Sequence, residues 1–414
     1  KSIPFPSAIL KLKNNQMNHH LFFYIALLLK CNLAVSFARL AFSKSTGLLT
    51  SCSASTFLAT NNEELLTKDD MFQDFASFLQ SKQKEIVSLL EEAEGGKSKF
   101  STDKWGFFLS NDEAQDKSPT SSRSGGIARV IQNGCIIEKG AVSLTIIENS
   151  ILSNERAKTI SSRSGEDVRE GDVYSAAALS IVLHTLSPMV PTFRSDVRIF
   201  FVRQKQKNQQ DDSSDAIAED TKQRQDGIAW FGGGSDLTPY YLYDEDIRFF
   251  HQTLRQVCDK HFENEGKAYR EMKQMCDEYF YLPARKEHRG TGGIFFDDLM
   301  ATYQTLNFTK DVANSWMPSW LDTIVRKRQC LPFTEQQRQW QLLRRGRYLE
   351  FNLLYDRGVR FGLAGDNPRI ENVMVSAPPM IAFTYNHKVE VGSEEEKLVN
   401  VLKLPRDWLA AEAL

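Results

Sequence analysis

The sequence predicts an α+β fold built around an antiparallel sheet. Some segments carry apolar residues every three or four positions, as in amphipathic helices, and shorter ones alternate apolar and polar residues, as in half-buried strands. The predicted strands are not separated by helices in regular strand–helix–strand units, which a parallel α/β sheet would require. With 414 residues, of which 41% are apolar, the chain is long enough for one large domain or two ordinary ones.

The first predicted helix spans residues 63–94, where Phe72, Phe75, Leu79 and Ile86 recur at helical spacing. The other elements predicted before residue 230 are a loop over 112–126, a strand through 142–146, a helix over 172–185, a strand over 196–203 and a polar insertion over 204–226.

The second half of the chain is predicted to begin with a helix after residue 239, because Ile247, Phe250 and Leu254 share one helical face. The remaining predictions are helices over 265–279, 318–326 and 334–344, and strands over 292–297, 347–355 and 372–376.

Residues 1–60 are predicted to be a targeting segment, and residues 61–414 a single domain. Residues 21–29 form a short apolar run typical of a signal peptide, too short for a membrane span. A stretch rich in Ser and Thr and free of acidic residues follows to Thr60. This combination predicts two-part targeting to a plastid, the chloroplast stroma, with an ordinary secretory signal as the alternative. No stable membrane anchor is expected after processing.

Charge and cysteine content argue against several classes of function. The net charge of −2 gives no reason to expect nucleic acid or a membrane surface as a partner. The six cysteines are scattered without a C-x-x-C pair. This pattern argues against a disulfide framework, a structural zinc site and an iron–sulfur cluster.

The most informative segment is residues 230–239, Trp-Phe-Gly-Gly-Gly-Ser-Asp-Leu-Thr-Pro. Three glycines allow a backbone to pass close to a ligand, because they have no Cβ and tolerate positive φ. Asp236 follows them at what is predicted to be a turn, so the segment would deliver one carboxylate to a site. The spacing fits neither the P-loop nor the dinucleotide-binding motif, and a plain tight turn is the alternative.

Two further blocks, residues 276–299 and 347–363, occur in the same order as the glycine block. Together the three resemble the oxygen-dependent coproporphyrinogen III oxidases, over roughly residues 101–408. The resemblance implies one large, mainly antiparallel twisted sheet with helices on both faces, and a homodimer. It implies that two propionates of coproporphyrinogen III become vinyls with loss of CO2, giving protoporphyrinogen IX, while O2 becomes H2O2. No cofactor is expected, since the pyrrole ring is itself electron-rich, and no metal is expected, because only two of the four histidines usual in the family remain.

The resemblance also implies roles for individual residues. Asp236 would be the central catalytic residue, accepting hydrogen bonds from pyrrole N–H groups, and Arg198 would anchor a propionate. Arginine suits the second task because its planar fork pairs with carboxylates in a bidentate manner. Asp196 stands where the family usually has Asn. The further positions that match substrate contacts are Ser180, Asp196, Val197, Arg285, Arg289, Asn367, Pro368 and Arg369. For Arg285 and Arg289 a structural role in supporting the turn is an equal alternative.

The histidines depart from the family pattern. Of four usual histidines, His184 and His251 remain, while Arg194 and Ala284 occupy the other two positions. Arg194 stands at the family's proton-donor position, yet arginine keeps its proton at any ordinary pH and is a poor general acid. Two functions are therefore open: an active, divergent oxidase in haem and chlorophyll synthesis, or an inactive paralogue that binds tetrapyrrole or serves as a scaffold subunit.

Overall fold

The computed structural model describes residues 67–109, 121–164, 167–203, 227–363 and 369–410. The predicted targeting segment 1–60, the insertion 204–226 and most of the predicted loop 112–126 lie outside these ranges. Seven strands form one sheet in the order β1-β2-β3-β4-β5-β6-β9, every neighbouring pair antiparallel, and β7 and β8 form a separate two-stranded sheet. The strands are β1 Ser101–Gly106, β2 Arg123–Gln132, β3 Ile137–Ile151, β4 Val173–Thr185, β5 Thr192–Arg203, β6 Ile228–Thr238, β7 Tyr281–Leu282, β8 Glu287–His288 and β9 Gly292–Met300.

Helices occupy most of the remaining described chain, and the predicted α+β class with a mainly antiparallel sheet is confirmed. None of these helices is long and apolar enough to cross a membrane. The helices are α1 Lys68–Ala93, α2 Asn154–Ser164, α3 Asp244–His261, α4 Lys267–Tyr279, α5 Tyr303–Asn314, α6 Trp316–Ser319, a π-helix Trp320–Val325, α7 Arg326–Arg328, α8 Glu335–Leu354, α9 Arg357–Leu363, α10 Ile370–Val373, a 3-10 turn Met374–Ser376 and α11 Glu394–Lys403.

The seven-stranded sheet is covered by helices on both faces. On one face, Phe75 of α1 packs edge-on against Phe231 of β6, with ring centroids 5.2 Å apart. On the opposite face, Phe351 of α8 clusters with Phe295 of β9. The large hydrophobic core lies between the first face of the sheet and several helices, among them α1, α3 and α5, and polar groups lie on the second face.

Helix α1 confirms the first predicted helix and shows why it begins where it does. Thr67 accepts a hydrogen bond from the backbone N–H of Asp70, and the Asp70 side chain accepts one in return from the backbone N–H of Thr67. This reciprocal cap satisfies backbone donors that a helix start otherwise leaves unpaired.

The predicted helix over residues 172–185 is wrong, because this segment is strand β4. Leu179, Ile181 and Leu183 alternate toward the core, while Ala178 and Ser180 point to the other face. A central strand covered on both faces is apolar almost throughout, so periodicity alone does not separate it from a helix. Ser180 therefore lies on a strand and not on a helix.

The predicted strands over 347–355 and 372–376 are also wrong. The first belongs to helix α8, and the second falls in α10 and the 3-10 turn. Helix α8 buries Arg344, Arg345, Tyr348 and Asn352 among its inward-facing residues. The predicted helix over 334–344 is confirmed as the first half of α8, and its continuation to Leu354 was missed because the buried face there includes the polar residues Arg344, Arg345 and Asn352.

The glycine block does not form the predicted turn. Gly232, Gly233 and Gly234 lie inside strand β6, and Asp236 follows them in the same strand. None of the three has a positive φ. They are needed for close approach instead: a Cβ on Gly233 would lie 2.6 Å from the carbonyl oxygen of Asp196.

Candidate active site

Neighbouring strands β5 and β6 bring three charged residues of β5 to one face of the sheet. Arg194 lies opposite Asp236, Arg198 lies opposite Gly232, and Asp196 lies between the two arginines in the same strand. Because alternate residues of a strand share a face, the side chains of Arg194, Asp196 and Arg198 project together, away from the core behind α1.

The glycines of β6 leave the room that these side chains occupy. A Cβ on Gly232 would lie 2.7 Å from Nη2 of Arg198, so the guanidinium rests directly on the bare strand. A Cβ on Gly234 would instead lie 2.9 Å from the carbonyl oxygen of Ile294 in β9. The first glycine makes room for a site residue, and the second keeps two strands at hydrogen-bonding distance.

Asp236 is a buried acid held on one side by a buried base. Its Oδ2 accepts a hydrogen bond from Nη2 of Arg289 at 2.5 Å, and the two side chains are 2% and 1% exposed. The guanidinium carbon of Arg289 lies 3.9 Å, 4.6 Å and 5.1 Å from the ring centroids of Phe280, Tyr348 and Phe351. These three rings hold the guanidinium of Arg289 in place, and the guanidinium in turn orients the carboxylate of Asp236.

The second oxygen of Asp236, Oδ1, is buried and accepts no hydrogen bond within the described part of the chain. Leaving such an acceptor unpaired is costly, which makes the atom a natural place for an external donor. Arg194 lies opposite Asp236 on the neighbouring strand, and the negative charge of Asp236 helps to raise the pKa of Arg194.

The arginines of β5 are paired with carboxylates in a continuous row. Nη1 of Arg194 is 2.7 Å from Oδ1 of Asp196, and Nη1 of Arg198 donates to Oδ2 of the same carboxylate. Nη2 of Arg198 donates to Oδ1 of Asp297 at 2.9 Å, and Nη2 of Arg357 donates to Oδ2 of Asp297 at 3.2 Å.

The electrostatics keep Arg194 charged. Burial lowers the pKa of Arg194, but the charges of Asp196 and Asp236 outweigh this effect and raise the pKa above its ordinary value. The pKa of Arg198 is likewise raised, since Asp196 and Asp297 outweigh its burial. Both side chains can hold an anion, and neither can release a proton at ordinary pH.

Ser180 and Arg369 extend the same face toward the far edge of the sheet. Ser180 is exposed in β4 directly opposite Asp196. Arg369 donates to Oδ2 of Asp103 at 3.1 Å and lies over the ring of Trp105, both in β1. Four interstrand spacings separate β1 from β5, roughly 19 Å at about 4.8 Å each. The face therefore offers arginines at two well-separated places.

Other predicted site residues lie elsewhere. Val197 directs its side chain into the core. Its backbone pairs with Gly233 in the neighbouring strand β6. Arg285 occupies the exposed turn between β7 and β8, where its Nε donates to Glu350 at 2.9 Å. Asn367 and Pro368 lie outside the described residues.

The two retained histidines bind protein groups. Nε2 of His184 is 2.9 Å from the carbonyl oxygen of Ser376, and Nδ1 of His251 is 2.7 Å from the hydroxyl of Tyr269. Burial, followed by the charge of Arg345, holds the pKa of His184 well below its usual range. Burial and then Lys273 lower the pKa of His251 to about 3. Both rings are therefore neutral parts of the interior.

Several residues of the site were missed by the sequence analysis. Asp297 and Arg357 complete the row of ion pairs, and Tyr348 lies between Arg289 and His184. Burial raises the pKa of Tyr348 to about 12, which keeps its hydroxyl protonated. All three residues fall inside the blocks at 276–299 and 347–363, which carry the family resemblance, so those blocks could have indicated them. The pairing of Asp297 with Arg198 depends on strand register, which the pattern alone does not fix.

A buried acid beside a row of arginines on the face of an antiparallel sheet forms a site suited to a ligand with several carboxylates. The chain belongs to the coproporphyrinogen III oxidase family, whose model matches residues 74–408. It is 37% identical over 337 residues to the oxygen-dependent coproporphyrinogen-III oxidase of Francisella tularensis subsp. holarctica (strain OSU18), covering 81% of this chain and 97% of that protein. It is 38% identical over 340 residues to the chloroplastic oxygen-dependent coproporphyrinogen-III oxidase of Glycine max, covering 81% of this chain and 79% of that protein.

Proposed function

We propose that this protein is an oxygen-dependent oxidase that converts coproporphyrinogen III to protoporphyrinogen IX. The observation that carries the proposal is Asp236, in a chain of this family: one carboxylate oxygen is bound by Arg289, and the other accepts no hydrogen bond from the residues that the structure describes. The arginines that share its face supply partners for the propionates of such a substrate.

The reaction needs no group that transfers electrons apart from O2. For each of two propionates, the bond to the carboxylate breaks and releases CO2. The carbon attached to the pyrrole loses hydrogen together with two electrons, which leaves a vinyl double bond. O2 takes up that hydrogen and electron pair and, with one further proton, becomes H2O2. We propose O2 as co-substrate and no metal or organic cofactor.

Asp236 is proposed to hold the centre of the substrate. A carboxylate accepts several hydrogen bonds, so Oδ1 can receive pyrrole N–H groups while Oδ2 stays on Arg289. The buried arginine keeps the acid in one orientation, and a fixed dipole or charge stabilises a developing positive charge on the pyrrole without reorganising. Asp236 would therefore act as the catalytic residue, with Arg289 as its positioning residue.

Arg194 is proposed to orient an anion rather than to donate a proton. Its raised pKa keeps the guanidinium charged throughout the ordinary pH range. The proton that the reaction requires would then pass through Asp236, water or the substrate itself.

We further propose a homodimer that works in the chloroplast stroma. The family resemblance supports the dimer, and the chloroplastic relative from Glycine max supports the compartment. The two-part character of residues 1–60 is the sequence basis for plastid delivery, with the secretory route as the alternative.

The test of the function is aerobic turnover of coproporphyrinogen III by the purified protein, with a chelator present and products separated and quantified by fluorescence. Formation of protoporphyrinogen IX, dependent on O2, is the expected result. Tight binding without conversion would contradict the proposal and support the tetrapyrrole-binding scaffold instead. Accumulation of a product with three carboxylates would mean that only one decarboxylation is completed.

A further inference from the structure

Asp196 occupies the space between the two arginines of β5. Its Oδ1 is 2.7 Å from Nη1 of Arg194, and its Oδ2 accepts a hydrogen bond from Nη1 of Arg198. The residue is 7% exposed. One carboxylate of the protein therefore bridges both guanidinium groups that the sheet brings to this part of its face.

Both guanidinium groups also have a second carboxylate of the protein close by. Arg198 gives its second nitrogen to Asp297, which is also bound by Arg357. Arg194 lies beside the carboxylate of Asp236. An incoming carboxylate would meet arginines that are already neutralised, and it would have to displace Asp196 or be repelled by it. Displacement is costly, because a buried carboxylate would lose its charge-assisted hydrogen bond to Arg198 and its ion pair with Arg194.

The geometry points to Asp196 as a specificity-determining residue. It is a built-in carboxylate that takes the place of one substrate carboxylate between Arg194 and Arg198. This inference rests on the proposed function and deepens it: the face accepts fewer propionates than its number of arginines suggests. The anchoring of the substrate then depends more on Arg369, at the other end of the sheet.

Replacing Asp196 with Asn isolates this effect. Asparagine has nearly the same size, so the strand and its neighbours Ser180 and Gly234 keep their packing. The amide no longer neutralises the two arginines, and both become available to a bidentate ligand. The variant should therefore gain affinity specifically for ligands with additional carboxylates.

The experiment compares two oxidised porphyrins that the enzyme cannot turn over: coproporphyrin III, with four carboxylates, and deuteroporphyrin IX, with two. Their dissociation constants are measured by fluorescence titration for wild type and Asp196→Asn at low and high salt. We expect Asp196→Asn to bind coproporphyrin III roughly tenfold more tightly at low salt, equivalent to ~1.4 kcal/mol. Deuteroporphyrin IX should change by less than about twofold, and the gain should shrink at high salt because screening weakens it.

The matched control is Asp69→Asn, which removes a carboxylate from Arg203, the last arginine of the same strand, at the partly exposed end of β5. It should leave both dissociation constants unchanged. Thermal unfolding confirms that each variant is folded, and Asp196→Ser serves as a second neutral variant if Asp196→Asn is not.

The inference is overturned if the neutral variants bind coproporphyrin III no more tightly than wild type, or lose affinity for it. If wild type converts coproporphyrinogen III normally in that case, the proposed function stands and only the role of Asp196 falls. If wild type binds neither porphyrin and shows no turnover, the proposed function falls, and the inference falls with it.

Discussion

Arg289 and Asp236 form an ion pair that is almost entirely closed to solvent, with Nη2 and Oδ2 2.5 Å apart and side-chain exposures of 1% and 2%. They come from different blocks of the sequence, one from strand β6 and the other from the segment that leads into β9. Their pairing connects the glycine block to the second block and places a fixed carboxylate beside the arginines of β5.

Removing only one partner of this pair should destabilise the protein strongly. Arg289→Met leaves the carboxylate of Asp236 buried without its cation, at an expected cost of about 3–5 kcal/mol in the free energy of unfolding. Urea denaturation measures the loss. The double variant Asp236→Asn/Arg289→Met should recover much of that stability, because no uncompensated charge remains, while turnover stays abolished.

The matched control is Arg285→Met, which breaks the more exposed pair with Glu350 and should cost less than about 1 kcal/mol. Equal destabilisation by Arg289→Met and Arg285→Met would contradict the importance of the buried pair.

Gly232→Ala and Gly234→Ala should separate a site glycine from a structural one. At Gly232 the added Cβ meets the guanidinium of Arg198, whose flexible end can move, so the fold should survive with the arginine displaced. We expect KM to rise roughly tenfold with a small change in stability, because a displaced Arg198 no longer neutralises Asp196, whose negative charge then repels the propionates of the substrate. At Gly234 the Cβ meets the backbone oxygen of Ile294, so stability should fall.

Steady-state kinetics and urea denaturation of both variants test this distinction. The reverse pattern would be an unfolded Gly232→Ala and a Gly234→Ala impaired only in KM. It would contradict the role of Gly232 in making room for the side chain of Arg198.

Position 194 should control the pH dependence of the reaction. In wild type, the raised pKa of Arg194 keeps it charged, so kcat/KM should show no ionisation from this residue between about pH 6 and 9. Arg194→His introduces a group that titrates near pH ~6.5 and is positive only below its pKa. If the positive charge holds a carboxylate, kcat/KM of this variant should fall as the pH rises through that value.

The pH profile of kcat/KM for Arg194→Lys provides the control, because lysine keeps its charge over the same range. A profile for Arg194→His that rises with pH would mean instead that a neutral base is required at this position.

The buried histidines should make the protein sensitive to acid. The pKa of His251 is lowered to about 3 in the folded protein from a usual value of 6.5, so below pH 6.5 the unfolded chain binds a proton that the folded chain refuses. Stability should therefore fall between pH 6.5 and about 3, by up to ~1.4 kcal/mol per pH unit for each such histidine. His184, whose pKa is also lowered, should steepen this dependence of the unfolding free energy on pH.

Urea denaturation at several pH values measures the slope. His251→Gln should flatten it, whereas the same change at the exposed His387 should not. An unchanged slope in His251→Gln would assign the acid sensitivity to other groups.

The parts of the fold with regular apolar spacing could be predicted from sequence. Phe72, Phe75 and Leu79 predicted α1, and all three lie in the core. The failures have physical causes. Strand β4 has core residues on one face and small residues on the other, so its alternation is hidden. The first half of helix α8 was predicted, but its second half was not, because the helix buries Arg344 and Arg345, which do not contribute to an apolar pattern.

Several members of the site were predicted from the sequence, but the contacts between them were not. Asp236, Arg194 and Arg198 were identified as candidates, and the structure brings them to one face. The pairing of Arg289 with Asp236 was not predicted, because it depends on how two distant segments meet. The three glycines were predicted to form a turn, but they lie in strand β6, where the absence of side chains allows close packing.

The catalytic role of Asp236 is tested by the rate of vinyl formation from coproporphyrinogen III under air, measured for Asp236→Asn and wild type side by side. The folded state of the variant is checked by thermal unfolding and by binding of coproporphyrin III. We predict that wild type forms protoporphyrinogen IX and that the variant binds the porphyrin but forms less than about one hundredth of the product, as expected for loss of one electrostatic contact to the transition state. Near-wild-type turnover by a folded Asp236→Asn would contradict the account.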